Sequence, residues 1–249
     1  MRKIATVLIL LMVMSVALTA AEPDFQEMLR KIDDMGNFAD SDFYAEYTLT
    51  SQKPGEPVAV TKAQMFRRDR NEQFVFIILE PQEDSGKGYL KVDDNVWIYD
   101  PQSRAFNHSS LKEEIQNTDT KNSDLTSSSL AEDYTVTRSA EGTLGAFPVW
   151  ILELTARNNE VSYAKIIIWV HKASSLILKE EDYSVSNRLL RTVAYSSYMK
   201  VGDKFLPGVI TQVDNVAIGE RTIVQMANPS VAVIPNDRFT KSFLERASN

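Results

Sequence analysis

The sequence contains no cysteine and only two histidines, and each shortage excludes a class of chemistry. Without cysteine there can be no disulfide, no thiolate metal site and no cysteine nucleophile. His108 and His171 stand far apart, so a zinc site or a Ser-His-Asp triad would have to use one of them alone. A G-x-S-x-G elbow, a phosphate-binding loop and a dinucleotide fingerprint are also missing. We therefore expect no enzymatic activity, no metal and no other cofactor.

Basic residues, glycine and proline are scarce as well. The 249 residues include 27 Lys and Arg against 34 Asp and Glu, and the resulting net charge of −7 argues against a nucleic-acid partner. Nine glycines and nine prolines are too few for a collagen-like or low-complexity chain, so the composition is that of a globular protein. The basic residues Arg67, Arg68 and Arg70 form one short cluster, which we interpret as a solvated strand edge rather than an anion site.

The only long apolar run lies at the N-terminus. Met1, Arg2 and Lys3 form a short basic region, and an apolar stretch follows it at 4–18. The next three residues, Thr19-Ala20-Ala21, are small, as the cleavage site of a signal peptide requires. The stretch is too short for a comfortable membrane span, so it predicts a signal peptide at residues 1–21 and one mature domain at 22–249. Because no cysteine follows the cleavage site, we expect an exported protein without a lipid anchor.

Short strand patterns dominate the rest of the chain. About a dozen segments carry strand periodicity, and Gly, Pro, Asn and Asp separate them at short intervals, which is typical of one antiparallel sheet curled into a barrel or half-barrel. Apolar residues recur at helical spacing over 24–35, and Phe239, Phe243 and Leu244 form the apolar stripe of a closing helix. The predicted fold class is therefore mainly β with helices (α+β).

Four strand patterns are apolar on both faces: Phe74–Leu79, Val96–Tyr99, Val149–Leu152 and Ile166–Val170. A strand with one solvated face would alternate, so these strands need cover on both sides. Two interpretations stay open. Either the protein's own side chains cover both faces of these strands, or the barrel interior is incompletely filled and a bound apolar ligand fills the remaining space. The second predicts a cavity lined by Tyr47, Leu49, Met65, Phe76, Ile78, Leu90, Trp97, Tyr99, Trp150, Leu152, Ile166 and Ile168.

Residues 108–133, here called the excursion, interrupt the strand pattern. This segment is polar, and two capping boxes within it, beginning at Ser110 and Ser129, predict short helices over 111–117 and 129–134. Long polar segments inside a compact domain are usually functional or mobile. We therefore expect the two helices to form a movable cover at the mouth of the cavity.

An ordered set of motifs occupies residues 80–134. Pro81, Asp84, Gly86 and Gly88 lead into Asp94–Pro101, and Ser123-Asp124-Leu125-Thr126 and Leu130-Ala131-Glu132-Asp133-Tyr134 follow. With its opening helix and closing strands, the chain resembles the outer membrane lipoprotein-sorting family, relatives of the periplasmic carrier LolA. The resemblance implies an incomplete antiparallel barrel covered by N-terminal, central and C-terminal helices, with an apolar cavity for acyl chains.

The same resemblance implies partners and a location. It predicts a monomeric periplasmic carrier of acylated lipoprotein or lipid, with an inner-membrane transporter as donor and an outer-membrane acceptor. An envelope stress sensor with a lipid- or peptide-binding LolA-like fold is the alternative. A stable signalling partner in envelope extracts would favour the sensor, and transient cargo would favour the carrier.

Overall fold

A computed structural model describes residues 23–116 and 118–248. The predicted signal peptide at residues 1–21 lies outside these described residues. The described strands are β1 (Asp42–Gln52), β2 (Ala59–Arg68), β3 (Gln73–Glu80), β4 (Gly88–Val92), β5 (Asn95–Asp100), β6 (Ala105–Ser109), β7 (Tyr134–Leu144), β8 (Phe147–Ala156), β9 (Lys165–His171), β10 (Ile177–Tyr183), β11 (Leu189–Ser196), β12 (Met199–Val201), β13 (Lys204–Leu206), β14 (Val209–Asp214) and β15 (Arg221–Ala232). The helices are α1 (Phe25–Gly36), α2 (Leu130–Asp133) and α3 (Lys241–Ala247).

Thirteen strands form one antiparallel sheet in the order β6-β5-β4-β3-β2-β1-β15-β14-β11-β10-β9-β8-β7, and β12 pairs with β13 in a separate hairpin. The edge strands β6 and β7 do not pair with each other, so the sheet is not closed into a barrel. The mainly β fold on one antiparallel sheet is thus confirmed, and the closed form of the barrel is excluded. None of the described helices combines the length and apolarity that a membrane span requires.

One face of this sheet, here called the inner face, carries the helix α1. The Asp24 carboxylate caps α1 by accepting a hydrogen bond from the Glu27 amide at 3.0 Å. Phe25, Leu29 and Ile32 then recur at helical spacing and pack against β8 and β9. The helix predicted over 24–35 therefore spans Phe25–Gly36, and its buried stripe fixes it across one half of the inner face.

The excursion covers the other half of the inner face. Its first predicted helix is wrong, because the described part of 111–117 consists of turns and a bridge between Glu114 and Lys121. The Glu113 carboxylate, which a capping box would direct to a backbone amide, instead accepts a hydrogen bond from Ser109 Oγ at 2.7 Å. In the described part of the excursion, helical structure is limited to a 3-10 turn at Asn122–Leu125 and the single turn of α2.

The opposite, outer face of β3–β5 is covered by α3 and the 3-10 turn Asn236–Phe239. Contact between α3 and β4 is so close that a Cβ at Gly88 would lie 2.4 Å from Leu244 Cδ2. Leu244 is itself fully buried there. Glycine at position 88 is therefore required by packing, since the backbone of β4 must approach the helix.

The solvated-edge interpretation of the arginine cluster is wrong for the buried Arg68, whereas Arg70 is exposed. Arg68 is 4% exposed and binds the fully buried Asp42, with Nε to Oδ1 and Nη2 to Oδ2 both at 2.9 Å. Burial alone would raise the pKa of Asp42, but hydrogen bonds from Arg68, from the Ile234 amide and from Arg70 outweigh it and hold the pKa below its usual range. Side-chain pairing across the end of β1 and β2 thus buries charges that the sequence pattern suggested were exposed.

Candidate functional site

A cavity of about 1100 Å³ lies against the inner face and opens to solvent. It is bounded by α1, by α2 and the residues before it, and by the inner face of β9, β10, β11 and β14. Its volume is at the upper end of ordinary ligand sites. Apolar side chains make up one part of its wall: Ile32, Met35, Phe74, Leu130, Val161, Ile166, Leu176, Ile177, Phe205, Leu206 and Ile210.

Strand pairing places polar residues on the same inner face as the apolar ones. Ile168, Glu180, Val193, Gln212 and Thr222 are directly paired across β9, β10, β11, β14 and β15, so they share one side of the sheet. The inner face is therefore apolar toward both edges and polar along its middle strands.

Arg191 is the centre of this polar region and is 6% exposed. Its Nε donates to Asp182 Oδ2 at 2.7 Å, and its Nη1 and Nη2 donate to Asp124 Oδ2 and Oδ1 at 2.6 and 3.1 Å. Asp182 is on β10, whereas Asp124 belongs to the excursion. The arginine thus ties the excursion to the middle of the sheet through a two-pronged, charge-assisted contact.

Glu180 lies beside this group and lines the cavity. Its Oε2 accepts a hydrogen bond from Tyr195 Oη at 3.0 Å. Burial is the main reason that the pKa of Glu180 is raised well above its usual value, and the adjacent Asp182 adds to the effect. Asp182 Oδ1 is buried and otherwise has no partner. A protonated Glu180 supplies the missing donor to that oxygen.

Four tyrosines also line the cavity: Tyr134, Tyr163, Tyr195 and Tyr198. Two of their hydroxyls are held by backbone carbonyls, since Tyr134 Oη donates to Tyr163 O at 3.0 Å and Tyr198 Oη donates to Ile177 O at 2.5 Å. Burial raises the pKa of each of the four phenols. The four rings are therefore neutral, and hydrogen bonds fix the hydroxyl positions of Tyr134, Tyr195 and Tyr198.

The twelve residues predicted from sequence are distributed over three clusters. Leu49, Met65, Phe76 and Ile78, with Tyr47, pack together on the inner face of β1–β3. Leu152, Ile166 and Ile168, with Trp150, pack under α1. Leu90 and Tyr99, with Trp97, lie on the outer face against α3. Of the twelve, Ile166 lines the cavity.

The inner-face cluster of β1–β3 has no room beside it, because the excursion fills the space. Ile115 is fully buried and Leu125 is 7% exposed, and both pack against Phe76 and its neighbours. Leu90, Trp97 and Tyr99 are separated from the cavity for another reason: alternate residues of a strand face opposite sides, and these three face α3. Contact between the twelve residues and a cargo stays a prediction.

Sequence reasoning missed the polar part of the site. Glu180 and Asp182 are spaced two apart in a strand, and Arg191 and Tyr195 follow in the next strand with even spacing. The available signal was a strand charged on its inner face, directly after the strongly apolar Ile166–Val170. A charged residue expected on a buried face indicates pairing or a site.

Known proteins resemble this chain in sequence profile and in fold. The profile of a protein family described as uncharacterized matches residues 70–246, which is more than half of the chain. No curated protein matches the chain in sequence.

Solved structures resemble it closely in fold. A LolA superfamily protein from Nitrosomonas europaea is 24% identical with a TM-score of 0.76, over 88% of this chain and 98% of that one. A domain described as a candidate outer membrane lipoprotein-sorting protein, from Vibrio parahaemolyticus, is 18% identical with a TM-score of 0.78, over 89% and 98%. A DUF1329 family protein from Desulfovibrio piger is 19% identical with a TM-score of 0.79, over 88% and 97%. The fold resemblance inferred from the motifs is thereby confirmed.

Proposed function

We propose a lipid-carrier function for this chain, which belongs to the matched family of uncharacterized proteins and has the LolA-like fold. In this proposal the protein works in the periplasm as a monomer. It takes an acylated lipoprotein or a free lipid from an inner-membrane transporter and delivers it to an outer-membrane acceptor. It performs no chemical step, and affinity comes from burial of the acyl chain.

The observation that carries the proposal is the open cavity against the inner face. Apolar side chains from α1, β9, β10 and β14 provide a wall along which a hydrocarbon chain can lie. An acyl chain of about 14 methylenes gains roughly 0.8 kcal/mol per buried methylene, or about 11 kcal/mol before the cost of ordering it. A partly buried chain therefore retains enough affinity for carriage and can still be released.

The residues before and within α2 are the part of the wall that we expect to move. Asp33 holds them from α1, because its Oδ1 and Oδ2 accept hydrogen bonds from the Leu130 and Ala131 amides at 2.9 and 2.8 Å. α2 itself has no buried residue. Opening here breaks these polar contacts and the partly buried packing of Leu130 and Ala131 against the cluster under α1, but it does not require the buried Arg191–Asp124 contact to break.

Lipid analysis of the protein purified from its native envelope tests the proposal. Mass spectrometry of the extract should detect a bound acyl lipid, and the delipidated protein should bind a fluorescent acyl ester with an uncharged head. Ile210→Trp narrows the cavity and should weaken that binding. Val185→Trp, at a position 93% exposed, is the control and should not. Repeated preparations without lipid, together with no binding of the acyl ester, would contradict the carrier function.

A further inference from the structure

We propose that the polar end of the cavity, formed by Glu180 with Tyr134, Tyr195 and Tyr198, is a subsite for an ammonium headgroup. The inference rests on the proposed carrier function and specifies its substrate class: an amphiphile whose charged end is positive. The apolar wall of the cavity would bind the hydrocarbon chain of this amphiphile, and the subsite would bind its ammonium headgroup.

Tyrosine rings and a carboxyl group are the chemistry that recognises an organic cation. The face of a phenol ring carries negative electrostatic potential, and a desolvated ammonium group gains about 1–2 kcal/mol over such a face. The three rings share the cavity wall with Glu180, and Tyr195 donates its hydroxyl proton to that carboxyl group. This hydrogen bond orients the Tyr195 hydroxyl toward Glu180, and the Tyr195 ring forms part of the cavity wall.

Glu180 is the carboxyl group of this region that a ligand can reach. Asp182 is fully buried, does not line the cavity and is bound by Arg191. Asp124 lines the cavity, but both of its oxygens accept hydrogen bonds from the same guanidinium. Glu180 forms no salt bridge among the described residues, although the charge of Arg191 acts on it, and it lines the cavity.

The charges around the subsite disfavour an anionic head. The positive charge of Arg191 is balanced by ion pairs with Asp124 and Asp182. The Lys121 Nζ atom lies 4.3 Å from the ring centre of Tyr163, which is not one of the three rings of the subsite. The two positive charges, on Arg191 and Lys121, cancel the two negative charges of the aspartates when Glu180 is protonated. When Glu180 is ionised, the net charge of these five side chains is −1. Along the whole wall nine acidic side chains stand against four basic ones. A cation is therefore the ligand that the ionised site attracts.

Binding of a cation is then linked to a proton. The groups that face Glu180 are Asp182 on its own strand, Arg191 and Tyr195 on β11, Tyr134 on β7, Tyr163 in the segment before β9, and Tyr198. Without ligand, Glu180 holds its proton because burial and Asp182 disfavour the second negative charge. An ammonium group supplies the missing positive charge, so Glu180 ionises and its proton passes to solvent. Affinity for the cation should consequently rise with pH through the pKa of Glu180.

Isothermal titration calorimetry on the delipidated full-length protein tests the inference with three ten-carbon amphiphiles below their micelle concentrations. We expect decyltrimethylammonium to bind at least tenfold more tightly than decyl maltoside, and decyl sulfate to bind more weakly than both. The apparent enthalpy for the ammonium probe should depend on the ionisation enthalpy of the buffer, because a proton is released. The maltoside should show no such dependence.

Glu180→Gln is the decisive variant, because its amide resembles the protonated acid and can donate to Asp182 in its place. It should bind the maltoside normally, lose the preference for the ammonium probe and lose the buffer dependence. Glu181→Gln is the matched control. It lies on the opposite face of β10, hydrogen-bonded by Lys179 and Tyr183, and should behave as the wild type.

The outcomes separate the two proposals. Equal affinities for the ammonium and maltoside probes in the wild type, or an unchanged preference in Glu180→Gln, would overturn the headgroup subsite and leave the carrier function standing. Failure of all three probes to bind would overturn the carrier function itself.

Discussion

Ile115 offers the sharpest test of how the excursion and the sheet divide the interior. It is fully buried among the inner-face residues of β1–β3, although it belongs to a polar segment without helix or strand. We infer that the Ile115 side chain fills the part of the interior that the sequence patterns predict to be open to cargo. Replacement of Ile115 by alanine should therefore both destabilise the protein and enlarge its cavity.

The magnitude follows from the burial of the side chain. Ile115→Ala removes three carbon atoms, each fully withdrawn from water, which corresponds to about 2.4 kcal/mol of lost transfer free energy at roughly 0.8 kcal/mol per carbon. The space left behind adds to this cost because the surrounding strands relax only partly. The expected loss in the free energy of unfolding is therefore about 3 kcal/mol.

Urea unfolding with and without a saturating acyl ester, whose head is uncharged, measures both effects. Without the ester Ile115→Ala should show the full loss, and Val185→Ala, at an exposed turn position, should show almost none. If the new space joins the cargo cavity, the ester should stabilise Ile115→Ala more than it stabilises the wild type. A loss below about 1 kcal/mol would refute the reasoning, since it would mean that Ile115 does not fill the interior.

Three further predictions concern other parts of the structure. Gly88→Ala should destabilise the protein by about 1–3 kcal/mol in chemical denaturation, because the added Cβ would lie 2.4 Å from Leu244 Cδ2. Asp42→Asn should cost about 3 kcal/mol at pH 7, because it leaves the Arg68 charge buried without its partner. The free energy of unfolding of the wild type should fall relative to that of Glu180→Gln as the pH rises, because folding raises the pKa of Glu180. The fall begins at the unfolded-state pKa of about 4.3 and continues to the folded pKa, with a slope of up to about 1.4 kcal/mol per pH unit.

A matched control exists for Gly88→Ala, and the pH dependence checks the other two predictions. Gly36→Ala should be nearly neutral, because no atom lies within 4 Å of its added Cβ. The contribution of Asp42 has the opposite pH sign to that of Glu180, since its pKa is lowered on folding. It is present above about pH 3.9 and is lost as the pH falls through the folded pKa. Equal acid sensitivity of the wild type and Asp42→Asn would contradict this assignment, and a parallel pH profile of wild type and Glu180→Gln would contradict a raised pKa for Glu180.

Much of the fold was predictable because it depends on local patterns. The alternation of apolar residues gave most strands, and the capped apolar stripe at 24–35 gave α1 to within one residue at each end. The polar excursion was recognised, but its path was not. Ser110 begins a capping-box pattern, and yet no helix forms over the described part of 111–117, because the Glu113 side chain binds Ser109 and Ile115 is drawn into the core.

The candidate site was less predictable, for a geometric reason. A strand with two apolar faces gives no indication of which face looks inward, and a shift by one residue exchanges them. The apolar pattern therefore groups Leu90, Trp97 and Tyr99 with Phe76, although the three lie on the outer face against α3 and the sheet separates them from the interior. Glu180 was passed over because charge in a strand usually indicates solvent.

The sequence by itself determined the periodicities, the turns and the ordered motifs, since each of these depends on residues close together in the chain. Only the tertiary structure decided which side of the sheet is covered by α1 and the excursion, that Ile115 fills one half of the interior, and that Arg191 meets both Asp124 and Asp182. Those contacts join residues distant in sequence. They are fixed by strand order, register and the route of an irregular segment, none of which leaves a local pattern.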